Sequence, residues 1–248
     1  MDVKDVISVA FNSQTLFLVA LFAGLLVLER FIPLNPKGLQ NRNRFWINVL
    51  LLLGNGALYA VIIVVLEFKF CTWVFSQGWG LLAILGMGGG MAGFMMAFML
   101  MDLGGYWAHR FNHSSPFLWG FHQLHHSDTV VDVTTGFRTH TIQMLCNACF
   151  ECVAILIIGT PPNALIAYLF FKFVCFQFHH SNIALPCRFE RFLQRIIVTP
   201  RSHFLHHLNH ESYKHSNFSN IFSFWDLMFN TAQNGFRPLQ IATKVGSD

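Results

Sequence analysis

Charge is what this 248-residue chain has least of: 11% of its residues are Asp, Glu, Lys or Arg, against 54% hydrophobic and 28 phenylalanines. That ratio excludes an ordinary soluble domain with a solvated surface. Also missing is a Lys/Arg segment directly before the first apolar run, TLFLVALFAGLLVL at 15–28, and no small-residue cleavage site follows it. The run is therefore expected to stay as a membrane span, with no cleaved signal. The six cysteines, at 71, 146, 149, 152, 175 and 187, fall mostly in apolar stretches, which excludes a loop-rich disulfide framework. Cys146-x-x-Cys149-x-x-Cys152 has a spacing that iron–sulfur clusters use, but it lies within LCNACFECVAILII and reads as helix packing. Gly88-Gly-Gly90-Met-Ala-Gly93 matches G-x-G-x-x-G without an acidic residue ~20 positions on, so no nucleotide site is expected. Gly86/Gly90 and Gly89/Gly93 read instead as small-xxx-small helix contacts. With no repeat, linker or low-complexity tract, residues 1–248 read as one integral membrane domain.

What is present is apolar length. Runs at 10–28, 46–66 and 80–101 each approach the ~20 residues that cross a hydrocarbon core. Two more, 142–159 and 163–178, flank Thr160-Pro161-Pro162-Asn163, a helix stop and restart that makes either a spanning or a re-entrant hairpin. The expected fold is all-α, a multi-pass membrane bundle of about four to five embedded helices.

Basic residues give the orientation. Three spans before residue 109 put loop 29–45, with Arg30, Lys37, Arg42 and Arg44, on the side of Arg110, Arg138, Arg188, Arg191, Arg195, Arg201, Lys214, Arg237 and Lys244. The opposite loop, 67–78, carries only Lys69, so the basic side is expected in the cytoplasm. Within it, Phe189, Phe192, Leu193, Ile196 and Ile197 form a stripe beside Arg188, Arg191 and Arg195, as in an amphipathic helix at the headgroups. That stripe accounts for the +4 net charge without nucleic acid.

Histidines gather on this same side, in His109-x-x-x-His113, His122-x-x-His125-His126 and His203-x-x-His206-His207. Imidazole is a common metal ligand and a poor residue to strand near hydrocarbon, so these eight point to a metal-binding cap at a membrane face. Eight ligands exceed the three or four that one zinc takes and suit two metals. In His-x-x-His-His the first two histidines are expected to share a helical face, with the third one position round. Asp102, Tyr106, His109 and His113 fall at i, i+4, i+7 and i+11, so Asp102 and Tyr106 are expected to lie on the same face behind the two histidines. Asp102 either accepts a spare imidazole N–H or is satisfied by backbone or water. No Glu-x-x-His pair of the soluble di-iron bundles occurs, but imidazole suits iron as well. His210-Glu211-x-x-x-His215 is one residue too long for H-E-x-x-H, and its histidines read as surface hydrogen-bonding groups.

These boxes come in a particular order: H-x-x-x-H, H-x-x-H-H, a lone His180-Ser181-Asn182, Thr199-Pro200-Arg-Ser-His203-x-x-His-His, then Phe224-Trp225-Asp226-Leu-Met-Phe229-Asn-Thr231. Together with Asp102-x-x-x-Tyr106-x-x-His109-Arg110 and Leu118-Trp119-x-Phe121-His122, they resemble the sterol desaturase/fatty acid hydroxylase superfamily of membrane di-iron enzymes over residues 98–232. The resemblance implies that His109, His113, His122, His125, His126, His180, His203, His206 and His207 bind two iron ions. Arg138-Thr-His140 is similar to the family's Arg-x-His-Pro-x-Glu, but Thr141 and Gln143 replace its Pro and Glu, leaving His140 a candidate tenth ligand and His179 an ambiguous neighbour. The implied activity is O2-dependent hydroxylation or desaturation of a sterol, fatty acyl or related lipid. The chain has no haem or nucleotide domain of its own, so electrons are expected from a ferredoxin or cytochrome b5-like donor with its reductase, docking near Arg188, Arg191 and Arg195. A membrane metal-ion transporter, or a non-catalytic metal-binding protein, is the rival reading. Complete boxes argue against the second, and the clusters' place beyond the spans against the first.

Overall fold

In a computed structural model the described residues are 13–36, 42–59, 66–210, 213 and 215–233. Positions 37, 214, 237 and 244, part of the basic side, lie outside them, as do residues 10–12 of the first expected span and 60–65 of the second. The regular elements of the described residues are all helices: α1 (Ser13–Phe31), α2 (Arg42–Tyr59), α3 (Phe68–Ser76), α4 (Leu81–Ile84), α5 (Gly90–Ser114), α6 (Pro116–His126), a 3-10 turn (Thr135–Phe137), α7 (Thr141–Ile158), α8 (Pro162–His180), α9 (Cys187–Leu193), α10 (Pro200–His206) and α11 (Phe224–Met228). Two isolated bridges, Pro33 to Ile183 and Ile197 to Phe222, are the β-type pairings among them.

α5 is the central element, packed on α6, α7 and α8, while α8 also carries α10. Its upper half joins a core of Leu82, Ala97, Met101, Ile155, Leu165 and Tyr168, and its lower half carries the first histidine box. α1 and α7 are long and apolar enough to cross a membrane. Their exposed faces, including Leu16, Phe17 and Val19 on α1 and Val153, Leu156 and Ile157 on α7, present hydrocarbon side chains outward.

Run 80–101 is not one helix. It breaks after α4, and a new helix starts at Gly90 and continues to Ser114, carrying the chain from the apolar run directly into His109 and His113. The glycines make that break rather than a helix–helix contact. Gly86 and Gly90 take φ of 66° and 82°, and a Cβ on Gly86, Gly89 or Gly90 would touch nothing within 4 Å. Gly93 is the tight one, since a Cβ there would lie 1.8 Å from the Met87 carbonyl oxygen. The cysteine run belongs to no metal-ligand group, and Cys149 is exposed rather than packed within the chain. The expected stop at 160–163 holds: α7 ends at Gly159 with φ 72°, and Pro161-Pro162 opens α8. α9 ends at Leu193, so the amphipathic stripe is half helix and half turn, with Phe189, Phe192 and Ile196 all exposed.

Candidate metal centre

Each ligand-bearing segment has a local reason to form. Ser115 caps α6, accepting from the Leu118 amide, and Pro116 supplies the preset φ at its first position. Thr199 and Ser202 form a reciprocal capping box at the start of α10, with Pro200 at its first position. α6 and α10 therefore begin at defined points, and the phase of their histidines follows.

Nine imidazoles converge in two adjacent groups. His109, His113, His122, His126 and His206 form one, His125, His180, His203 and His207 the other, and within each the ligand nitrogens all lie within 4.8 Å of one another. Each His-x-x-His-His box serves both groups. Its first and third histidines, four apart, enter one group and the middle histidine enters the other; the first two do not share a site. The reason is helical geometry: i and i+4 stack on one face, while i+3 leans to the side where the second group lies. Rings of the two groups touch, with His126 stacked on His207 at 4.3 Å between centroids.

The nitrogen spacing fits bound ions. His122 and His113 Nε2 are 3.0 Å apart, His180 and His125 Nε2 3.2 Å, His203 and His180 Nε2 2.9 Å, and His207 and His203 Nε2 3.2 Å. Ligands at ~2.0–2.1 Å from a common ion stand roughly 3.0–3.4 Å from one another. Tautomers fit as well. His109 Nδ1 faces the Phe218 carbonyl at 2.8 Å, His180 Nδ1 that of Phe176 at 2.8 Å, and His206 Nδ1 that of Ser216 at 2.7 Å. A carbonyl can only accept, so each Nδ1 carries the proton and each Nε2 keeps its lone pair for a metal. Nε2 of His126 and His206 is buried with no protein partner. Burial, reinforced by the neighbouring imidazoles, pushes His125, His126, His203, His206 and His207 well below the usual imidazole range, so the cluster stays neutral and able to ligate.

The remaining candidates do other work. The Asp102 carboxylate accepts from the Ile221 and Phe222 amides and from Trp225 Nε1 at 2.9 Å, which is the backbone-satisfied of its two expected roles. It anchors segment 216–231, whose Ser216 and Phe218 carbonyls orient His206 and His109. Asp226 fastens the same segment through the Phe218 and Ser219 amides and the Thr231 hydroxyl. Tyr106 is hydrogen-bonded to Thr231 at 3.0 Å and receives a bond from Arg110 Nη1 at 3.0 Å. His140 is not in either group: its Nδ1 accepts from the Ile142 amide and caps α7. His179 is buried beside His203, ring centroids 4.2 Å apart, yet is in neither group. His210 and His215 are exposed and also outside.

Two features escaped sequence reasoning. Gln143 Nε2 lies 2.5 Å from His122 Nδ1. A metal on His122 Nε2 would leave the proton on Nδ1, and the Gln143 amide, with its oxygen and nitrogen exchanged, would then accept from it, the role open to a glutamate there. Its place at the Glu position of the Arg-x-His-Pro-x-Glu pattern was the available signal. The second is a buried lattice behind α6, where Arg44 reaches Asp128 and Asp132, for which Asp128 and Asp132 directly after the second box were the only hint.

A family model for fatty acid hydroxylases matches residues 94–231, the stretch that holds all nine clustered histidines. Alkylglycerol monooxygenase of Danio rerio is 30% identical over 136 residues, covering 55% of this chain and 29% of that protein. The Homo sapiens alkylglycerol monooxygenase is 28% identical over 135 residues, 54% of this chain and 29% of that protein. Ornithine lipid hydroxylase OlsE of Rhizobium tropici is 28% identical over 144 residues, 58% of this chain and 43% of that protein. The matches thus span less than half the length of these relatives. No solved structure matches the chain.

Proposed function

The chain belongs to the fatty acid hydroxylase family, and from that premise we propose that it is a membrane monooxygenase which hydroxylates a lipid at a histidine-bound pair of iron ions. The observation that carries this reading is the division of nine neutral imidazoles into groups of five and four, side by side. Two iron ions held there would bind O2 and supply the oxidising power to attack an unactivated C–H bond. The protein's own part is to set geometry. Carbonyls of Phe176, Ser216 and Phe218 fix tautomers, Gln143 steadies His122, and Asp102 and Asp226 hold the segment that presents two of those carbonyls.

Hydroxylation is favoured over desaturation because the relatives' names are those of a monooxygenase and a lipid hydroxylase. A lipid substrate suits a chain with two helices apolar enough to cross a membrane and apolar side chains facing outward on both. We place α1, α2, α5, α7 and α8 in the bilayer and the histidine centre on the cytoplasmic side, the side to which the order of spans assigns Arg30, Arg110, Arg138, Arg188, Arg191 and Arg195. Electrons come from a separate ferredoxin or cytochrome b5-like donor with its reductase, docking by charge on Arg188, Arg191 and Arg195.

Lipid profiling tests this. Cells expressing the chain should accumulate a lipid heavier by one oxygen, under air and not under anoxia, while cells expressing His206→Ala should not. The purified protein should carry two irons, and turnover with NAD(P)H and O2 should require an added electron-transfer chain. An unchanged lipid profile, with wild-type protein inserted and iron-loaded, would overturn the assignment.

A further inference from the structure

Beside the histidines, α5, α7 and α8 enclose a cavity of about 120 Å³. One part of its wall is His109, His122, His125, His180 and His203; another is Glu151 and Lys172. Glu151 follows Gln143 by eight residues and Lys172 precedes His180 by eight, so the two parts lie about 12 Å apart along the helix axes. Behind Glu151 stands Glu67, 1% exposed, just before α3, which packs on both α7 and α8.

Lys172 Nζ donates to Glu151 Oε1, a neutral pair that by itself would tie α7 to α8. Glu67 is more than that tie needs. No N–H or hydroxyl reaches either Glu67 oxygen or the second oxygen of Glu151, and what joins the two residues is a hydrogen bond between their carboxyls. Two ionised carboxylates can only accept, so that bond holds a proton. Burial first and Glu151 next push the Glu67 carboxyl up to about 9, and the proton rests there at neutral pH. The trio is then one carboxylic acid, one carboxylate and one ammonium, without net charge. Losing its proton leaves two buried carboxylates against one ammonium, an imbalance that draws a replacement. The other titratable groups facing the trio are Tyr59 from α2, Cys152 from α7, Tyr168 from α8 and Asp102 from α5. The phenols and the thiol keep their protons at neutral pH. Asp102 is bonded to Ile221, Phe222 and Trp225, so the exchangeable proton belongs to the trio.

We propose that Glu67, Glu151 and Lys172 store one proton and release it through the cavity to the oxygen chemistry at the histidine centre. Hydroxylation consumes it. In R–H + O2 + 2e− + 2H+ → R–OH + H2O, the O–O bond breaks and a C–O bond forms. Dioxygen takes two electrons from the external donor and two from the C–H bond, and two protons leave with the second oxygen as water. A buried centre must be handed those protons along a defined route. The cavity offers one: it has room for several water-sized groups, and its length of about 12 Å is roughly four hydrogen-bonded steps of ~2.8 Å. Asn112, 2% exposed, lines it with a side-chain oxygen that no protein group meets, while its amide donates to Asn147, also on the wall. Such an oxygen can accept from a water in that chain. This inference rests on the hydroxylase reading for the oxygen chemistry.

The test uses detergent-purified, iron-loaded protein, with iron content measured on each sample. The infrared difference between wild type and E67Q at neutral pH should contain a protonated-carboxyl C=O stretch that shifts in D2O, because Gln keeps the contact but holds no transferable proton. Protein reduced chemically without O2 and then mixed with it should reoxidise about 10²-fold more slowly in E67Q, the usual loss when a proton donor is removed. The variant should also show a larger solvent isotope effect than the wild type, with iron unchanged, and E67D should recover part of the rate. A role confined to tying helices together moves none of these. If E67Q does not accumulate, E151Q decides by the same two measurements. A difference spectrum without a carboxyl band, or a variant reoxidised as fast as the wild type, would overturn the proposal. Both effects in a protein that forms no oxygenated lipid under air would sink the hydroxylase reading and leave the proton store standing.

Discussion

Two buried polar clusters meet at the end of α6, where His126 belongs to one and Asp128 to the other, and they are built on opposite plans. Behind α6, Arg44 donates to Asp128 through Nε at 2.5 Å and Nη2 at 2.8 Å, and to Asp132 through Nη1. Asn48 and Thr135 add bonds to Asp128, and Thr134 bonds Asp132. Burial alone would push Asp128 up, but the hydrogen bond and charge of Arg44 outweigh it and hold the carboxyl below the usual range. Every donor of that lattice has an acceptor in the chain. The histidine centre has like groups facing like groups, imidazole nitrogens around 3 Å apart with several lone pairs unanswered. A buried cluster that satisfies itself is a structural tie; one that does not implies something to complete it.

Removing a ligand should separate the two most sharply. His206→Ala, from the five-histidine group, and His125→Ala, from the four-histidine group, should each lower bound iron and abolish nearly all turnover while the protein still inserts. Metal analysis on the purified, membrane-extracted variants decides this, and full metal with either would take that residue out of the ligand set.

Arg44→Ala should do the reverse. It leaves two buried carboxylates uncompensated, a loss of about 3–5 kcal/mol, so thermal unfolding and yield should suffer directly, with iron lost only through unfolding. A variant as stable as the wild type but depleted of iron would show that the lattice is part of the centre.

Between these, Gln143→Ala should weaken iron binding by roughly 10–100-fold, the usual cost of removing a group that orients a ligand. Gln143→Glu should restore it, read by competition with a chelator. Ala and Glu variants that bind alike would mean that Gln143 does not orient His122.

The smallest effect is expected at His140. Replacing it with Ala should cost the α7 cap about 1 kcal/mol and leave iron content unchanged, measured by thermal shift and metal analysis. A drop in bound iron would return it to the ligands.

Much of this was legible from spacing. Histidines four apart on a helix share a face, so the box pattern pointed to a candidate metal centre, and the nine residues named from the family order are the nine that converge, although those three apart divide between the two groups. The helix stop at 160–163 and the two helices apolar enough to cross a membrane followed from Pro, Gly and hydropathy. Local rules did not reach partners distant in sequence. Asp102 and Tyr106 lie on the face of His109, but whether they bond an imidazole depended on residues more than 100 positions away, and those turned out to be Ile221, Phe222, Trp225 and Thr231.

By itself, then, the sequence determined the chemistry available, because residue type and helical period are local properties: clustered imidazoles, apolar helices and an uneven spread of basic residues. Only the tertiary structure decided how the nine histidines divide into five and four, that His140 caps a helix, that Gln143 backs His122, and that Glu151 and Lys172 share a cavity with the histidines. Those facts depend on how α5, α6, α7, α8 and α10 lie against one another, and packing is settled by the summed contacts of the whole chain rather than by any one segment.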